Sequence, residues 1–191
     1  MKRNPPTEKA PRWRQVLRAK LFSSHLSRFR HSDRTLDLGC GWGYSLIVNP
    51  RFWLVDGDVD CINHLKQVSD RAFLCDVAAR LPFDDDFFDN VFSNDVLEHL
   101  TKDEMDSVFA EVRRILRKDG LFVNAVPNWR GYQFGVQRNV GHKRFVTETE
   151  IREAAQASGF QVERVFKSPF STLWSERFTH NKLVTICRLV S

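Results

Sequence analysis

The sequence predicts an α/β fold: a doubly wound, mostly parallel seven-stranded sheet with an antiparallel edge strand. Two observations predict it. Short apolar runs of strand length alternate with runs of helical spacing through most of the chain, an order typical of parallel sheets. The last two apolar runs follow one another closely, so we expect them to pair antiparallel. With 191 residues, the chain suits a single domain, residues 1–191, with its own core.

The elements are predicted in chain order from periodicity. The N-terminal helical segment is residues 1–33: residues 1–10 are expected to be a loose leader that contains proline, and helical spacing of apolar residues from Trp13 to Phe29 predicts one or two amphipathic helices. The strands are expected at residues 34–38, 52–55, 72–75, 88–93, 121–126, 161–166 and 183–190. Asn49-Pro50 should stop the helix after the first strand at little more than one turn.

Three further helices have recognisable boundaries. One is expected at residues 61–68. The other two open on the capping boxes Thr101-x-x-Glu104 and Thr147-x-x-Glu150. Gly120 and Gly159 are expected to end these two helices.

Composition limits the function classes. The net charge of +5 is concentrated before Asp37, which indicates either a solvated arginine-rich helix face or a patch that attracts nucleic acid or an anionic membrane. No apolar run approaches the ~20 residues of a membrane span, and the basic N-terminus lacks the core of a signal peptide, so the expected location is cytoplasmic. Four widely spaced cysteines predict reduced thiols, and no metal ligands are expected. The run Asp84-Asp85-Asp86 is interpreted as a solvated turn.

Polar residues and glycines gather where the predicted strands end. The stretch LDLGCGWG places Asp37 and three glycines after the first strand, and acids close the next two strands at Asp56 and Asp76. In doubly wound sheets, ligands bind beyond the carboxyl ends of the strands. The glycines lack the lysine of a phosphate-binding loop, and their third member comes one residue early for the dinucleotide fingerprint. If the glycines formed only a turn, the presence of the acid Asp37 beside them would have no explanation.

These residues resemble the class I S-adenosylmethionine-dependent methyltransferases, a family with a Rossmann-like fold. LDLGCGWG looks like the family's glycine motif, and FWLVD looks like its ribose-binding strand. FLCDVAARLPFDDDFFDNVFSNDVLEHL is similar to the next two motifs, and VRRILRKDGLFVNAVPN to the helix and strand after them. The resemblance covers residues 34–166. It implies a cofactor-binding half at residues 34–126 and an acceptor-side loop, helix and last strands at residues 127–191.

The resemblance also implies a cofactor, S-adenosyl-L-methionine, with S-adenosyl-L-homocysteine as product. The resemblance implies that Asp37 and the backbone of Gly39, Gly41 and Gly43 hold the methionine moiety, that Asp56 binds the ribose, that Asp76 and Val77 recognise adenine, and that Asn94 lies beneath the sulfonium. Trp42 and Gly57 are also expected to contact the cofactor. Two departures stand out: the first helix is short, and Gly57 occupies a position where relatives carry an apolar side chain against adenine.

On the acceptor side, His142 in the segment GHKRF is the predicted catalytic residue, with anchoring of the loop as its alternative role. His99 is expected to be structural. The predicted activity is methyl transfer to an oxygen or nitrogen atom of a small-molecule acceptor. Four basic residues hint that this acceptor is anionic: Arg130, Arg138, Lys143 and Arg144. A nucleic-acid methyltransferase and a cofactor-binding regulator with little activity are the alternatives.

Overall fold

The computed structural model describes Phe29 and residues 31–128, 142–168 and 182–190. The predicted N-terminal helices, Arg130 and Arg138 lie outside the described residues. The strands are β1 (Thr35–Leu38), β2 (Trp53–Asp56), β3 (Ala72–Leu74), β4 (Phe88–Asn94), β5 (Leu116–Pro127), β6 (Phe160–Ser168) and β7 (Lys182–Leu189). The helices are α1 (Val59–Leu65), α2 (Lys102–Ile115) and α3 (Glu148–Ala157), with 3₁₀ turns at Tyr44–Ile47 and Leu97–His99.

The seven strands form one sheet in the order β3-β2-β1-β4-β5-β7-β6. The first five strands in this order pair in parallel, whereas β7 pairs antiparallel with both β5 and β6. This confirms the predicted fold class, including its antiparallel edge. The chain lays down β2 and β3 on one side of β1 and then places β4 on the other side. The carboxyl ends of β1 and β4 therefore meet at the switch point in strand order, where such sheets bind ligands.

Strand residues alternate between two apolar clusters, as a sheet covered on both faces requires. Val91 and Phe122 belong to the larger cluster, which α2 and α3 cover, and the adjacent Phe92 and Val123 belong to the other cluster. Both capping boxes are present: Thr101 and Thr147 each accept a hydrogen bond from the backbone of the glutamate three residues on. All four cysteines are free thiols. None of the helices in the described part of the chain is long and apolar enough to cross a membrane.

The prediction that Gly120 ends α2 is wrong. The helix ends at Ile115, and Leu116 is already extended (φ −83°, ψ 139°), buried and paired with Phe88. Asp119 then takes a left-handed conformation (φ 64°) at an irregularity where β5 continues. A Cβ at Gly120 would lie 2.7 Å from the carbonyl oxygen of Arg117. Gly120 therefore serves this bend within β5.

The helix after β1 is as short as predicted, because only the 3₁₀ turn Tyr44–Ile47 is present. Asn49 fixes its end: its side chain is buried, donates to the carbonyl of Ser32 (3.0 Å) and accepts from the N–H of Arg51 (2.9 Å). Because the Asn49 side chain is hydrogen-bonded to two backbone groups, it stabilises a non-helical conformation at this position. Pro50 has no backbone N–H to continue the helical hydrogen bonds.

Candidate functional site

The glycine loop leaves β1 in a conformation that suits glycine alone. Gly39, Gly41 and Gly43 have φ values of 77°, 53° and 72°, in the left-handed region. The N–H groups of Gly39 and Cys40 both donate to the carbonyl of Val55, at 2.8 and 3.0 Å, so the loop crosses over the end of β2. A Cβ at Gly39 would stand 2.4 Å from Cγ2 of Val96. The first glycine therefore permits both the turn and this close approach.

Asp56 ties the end of β2 to the glycine loop. Its carboxylate accepts from the N–H of Gly41 (2.7 Å) and from the N–H of Asp58 (2.9 Å), and the residue is 3% exposed. The carbonyl of Asp56 also accepts from the N–H of Cys75 (3.1 Å), which holds the end of β3 alongside. The predicted ribose-binding acid thus lies where the loop, β2 and β3 converge.

Asp37 secures the loop from the other side. It is buried in β1, and its Oδ2 accepts a hydrogen bond from the hydroxyl of Ser45, in the 3₁₀ turn that follows the glycines. A charge-assisted bond of this kind is stronger than one between neutral groups, so it fixes the position of the turn on the strand.

Trp42 carries an unusual buried donor. The indole N–H has no hydrogen-bond partner among the described residues. The ring lies edge-on to His64 of α1, with centroids 5.5 Å apart. Buried polar atoms are nearly always satisfied, so this donor in the middle of the glycine motif indicates an acceptor that the described residues do not supply.

The predicted adenine side is open. Asp76 follows β3, is exposed, and accepts from the N–H of Ala78 (2.9 Å) in a local turn. Val77 is half-buried and packs against the larger apolar cluster. Around Gly57, an added Cβ would meet only the carbonyl of Cys75 at 3.8 Å and the Cα of Asp76 at 3.9 Å. Gly57 therefore leaves unfilled space beside Asp76.

At the end of β4, Asn94 belongs to a polar group that sequence reasoning found only in part. Its amide donates to Asp95 (2.9 Å), and the ammonium of Lys182 donates to both residues at 2.5 Å. Asp95 itself has a left-handed φ of 55°. Lys182 was missed because it begins β7, far along the chain, and contributes only through the antiparallel pairing of β7 with β5.

His142 lies beside the turn that follows β4. Its Nε2 is 3.9 Å from Oε1 of Glu98, and its ring is edge-on to that of His99, with centroids 4.9 Å apart. The backbone holds it there, since the N–H of Lys143 donates to the carbonyl of Glu98 (3.0 Å). The structure therefore brings together His142 and His99, for which the sequence suggested different roles, and adds Glu98.

The electrostatics of this group follow from burial. Burial, with the neighbouring His99, lowers the pKa of His142 against the opposing effect of Asp95, so the imidazole is neutral at neutral pH. Burial, followed by the negative charge of Asp95, raises the pKa of Glu98 to about 8. Neither oxygen of Glu98 has a hydrogen-bond partner within the described ranges, although the residue is 2% exposed.

The chain resembles methyltransferases in both sequence and fold. Residues 36–124 match the family model of a methyltransferase domain. The malonyl-[acyl-carrier protein] O-methyltransferase of Geobacter sulfurreducens is 29% identical over 157 residues, covering 70% of this chain and 57% of that protein. The chain thus spans little more than half the length of this curated relative.

Two solved structures illustrate the likeness in fold. A SAM dependent methyltransferase from Archaeoglobus fulgidus superposes with a TM-score of 0.71 at 17% identity, covering 92% of this chain and 94% of that one. The geranyl diphosphate C-methyltransferase of Streptomyces coelicolor A3(2) superposes with a TM-score of 0.64 at 14% identity, covering 97% and 88%. Residues 36–124 are thus similar to methyltransferase domains in sequence, and the chain shares the fold of these two solved structures.

Proposed function

We propose that the chain transfers the methyl group of S-adenosylmethionine to an oxygen or nitrogen atom of a small-molecule acceptor. The observation that carries this proposal is the meeting of two groups of residues at one edge of the sheet. The glycine loop and Asp56 lie beyond β1 and β2, and the neutral imidazole of His142 lies beside the turn after β4. A cofactor and an acceptor bound at these two places would be neighbours.

The residues present fit the cofactor. The buried indole N–H of Trp42 is a donor in need of an acceptor, which the carboxylate of a methionine moiety would supply. Asp56 is held by two backbone donors, and a carboxylate has further lone pairs with which to accept from a ribose diol. The exposed carboxylate of Asp76 and the space beside Gly57 suit an adenine ring and its amino group.

The chemistry divides between cofactor and chain. When bound, the cofactor would supply an electrophilic methyl group on a sulfonium, with S-adenosylhomocysteine as the leaving group, and the acceptor would release a proton. The chain aligns the two molecules and excludes water. His142, neutral near pH 7, is the residue proposed to take that proton. Its alternative role is to hold the loop after residue 141 against Glu98.

The acceptor class is supported only in outline. The name of the Geobacter relative specifies O-methylation, which favours an oxygen atom, whereas the Streptomyces structure is named as a C-methyltransferase. The suggestion of an anionic acceptor is weakened, because Lys143 pairs with Glu104 and Arg144 with Glu150. Nothing in the described residues favours a nucleic-acid acceptor.

The cofactor assignment is tested by calorimetric titration of S-adenosylhomocysteine into the wild type, Asp56→Ala and Asp58→Ala. Asp58 is the matched control: it lies two residues away and caps α1 by accepting from Asp60 and Cys61, with no proposed ligand role. We expect Asp56→Ala to bind at least about tenfold more weakly, since a charged hydrogen bond contributes about 1.5–3 kcal/mol. Asp58→Ala should bind like the wild type. Equal affinity in all three proteins would overturn the assignment.

The role of His142 is tested by transfer of a labelled methyl group to a panel of small hydroxyl, carboxyl and amino compounds. Removal of a general base typically costs 10²–10⁴-fold in rate, so His142→Ala should lose about that much of the turnover number on any accepted compound. Cofactor affinity should be unchanged. Full retained turnover would leave His142 only the role of holding the loop.

A further inference from the structure

Three side chains around the turn after β4 converge in the manner of a metal site. Each of Glu98, His99 and His142 offers one ligand atom, and these atoms all lie within 4.8 Å of one another. Glu98 and His99 are adjacent on the 3₁₀ turn Leu97–His99. His142 is drawn in from more than forty residues away by the backbone bond between Lys143 and Glu98. Two elements therefore hold the three ligands independently of any bound group.

The second observation concerns the burial of the Glu98 carboxyl group. Glu98 is 2% exposed, and within the described part of the chain neither of its oxygens takes part in a hydrogen bond. The nearby ammonium of Lys182 donates to Asn94 and Asp95, and its positive charge also acts on Glu98. A buried carboxylate without donors is costly, and coordination of a cation is one of the few ways to compensate for that cost. The rival explanation is that Glu98 is simply buried in its neutral, protonated form.

We infer that Glu98, His99 and His142 bind a divalent transition-metal ion such as Co²⁺, Mn²⁺, Fe²⁺ or Zn²⁺. One carboxylate and two imidazoles are ligands that these ions accept, whereas Mg²⁺ and Ca²⁺ prefer oxygen ligands throughout. Bonds of about 2.0–2.2 Å place neighbouring ligand atoms roughly 3–4 Å apart. The separation of 3.9 Å between Glu98 Oε1 and His142 Nε2 is within that range. Small rotations of the side chains would complete the site.

Such an ion would refine the proposed function, on which this step rests. Three protein ligands leave coordination positions for an acceptor, as in catalytic metal sites. The site adjoins Asn94, the residue expected beneath the sulfonium. A cation there makes a bound hydroxyl group more acidic and orients its oxygen, so an oxygen acceptor would be preferred and its proton would pass to solvent. The Nε2 of His142 would then be a ligand and no longer the proton acceptor.

Metal binding is testable without any substrate. The 191-residue chain, stripped with a chelator and free of any affinity tag, is titrated with CoCl₂ and followed by visible absorption and calorimetry. We expect about one Co²⁺ per chain, displaced by Zn²⁺, with much weaker binding of Mg²⁺. Glu98→Gln and His142→Ala should each bind at least about tenfold more weakly. The matched control is His31→Ala, an exposed histidine outside the cluster, which should bind like the wild type.

The outcomes separate this inference from the proposed function. Wild-type protein that binds no Co²⁺, or a Glu98→Gln variant that binds it equally well, overturns the metal site. Circular dichroism checks that each variant is folded. If His142→Ala does not fold, the test relies on Glu98→Gln, which has nearly the same shape as the wild-type side chain. S-adenosylhomocysteine is titrated into the same metal-free protein. Cofactor binding without Co²⁺ binding refutes only the metal site, whereas Co²⁺ binding without cofactor binding refutes the proposed function.

Discussion

Replacement of Gly39 by alanine tests how the glycine loop is built. The new Cβ would stand 2.4 Å from Cγ2 of Val96, and the residue would keep a φ of 77° that L-residues disfavour. The left-handed conformation costs about 1–2 kcal/mol, and overpacking in a filled core costs about 1–3 kcal/mol. Gly39→Ala should therefore lower the free energy of unfolding by about 2–5 kcal/mol.

The matched control is Gly57→Ala, at the other end of the same site. There, a Cβ meets its nearest atoms at 3.8 and 3.9 Å, in ordinary van der Waals contact. Gly57→Ala should be within about 1 kcal/mol of the wild type, because no clash opposes the loss of unfolded-state entropy. Urea unfolding of both variants measures the difference. A Gly39→Ala variant as stable as Gly57→Ala would refute the reasoning.

A double-mutant cycle then identifies the cause. Val96→Ala alone should cost about 2 kcal/mol for the methyl groups that it removes from a buried site. In the Gly39→Ala background, the same change also relieves the clash, so it should cost at least about 1 kcal/mol less. Additive effects would mean that backbone strain at Gly39, and not contact with Val96, limits this position.

Two further predictions concern the framework around the site. Arg114 of α2 donates to the carbonyls of Leu81 and Phe83 and forms an ion pair with Glu111. Arg114→Ala should lower the free energy of unfolding, measured with urea, by about 2–4 kcal/mol, because it leaves those partly buried acceptors unpaired. Burial raises the pKa of Cys187 to about 12. Iodoacetamide at pH 8 should therefore leave Cys187 unmodified in the native protein and alkylate the half-buried Cys75 first, as measured by peptide mass spectrometry. Faster alkylation of Cys187 than of Cys75 would show that Cys187 is not buried.

The positions of the proposed cofactor residues were predictable because these residues are local to the strand ends. A short apolar run followed by Asp56 or by Asp76 identifies both a strand and the acid that closes it, and parallel pairing then brings those ends together. The short turn after the glycines was equally predictable, since Asn49-Pro50 is a local signal. What sequence could not supply is how Asp56 is held, because its contact with the N–H of Gly41 depends on the loop crossing β2.

The surroundings of the proposed acceptor-side residues were less predictable for a physical reason. Glu98 reads as one more charged residue in LEHL, and only the fold shows that it is buried. Its proximity to His142 comes from a backbone hydrogen bond between residues 45 apart in sequence, for which no periodicity gives a signal. Lys182 is found at Asn94 only because β7 runs antiparallel to β5. The prediction that Gly120 ends α2 is wrong for a related reason, since a glycine that follows a helical pattern can also lie at a bend in the next strand.

One turn connects the two halves of the site. Val96 contacts the glycine loop through its side chain, and its carbonyl accepts from the N–H of His99 (2.9 Å) in the same turn. A side chain at position 39 must displace Val96. Because the carbonyl of Val96 is bonded to the N–H of His99, we expect His99 and the adjoining His142 to move as well. We therefore expect Gly39→Ala, but not Gly57→Ala, to shift the imidazole NMR signals of His99 and His142 while leaving that of His31 unchanged. If the signals of all three histidines stay at their wild-type positions in Gly39→Ala, the loop and the cluster are mechanically independent.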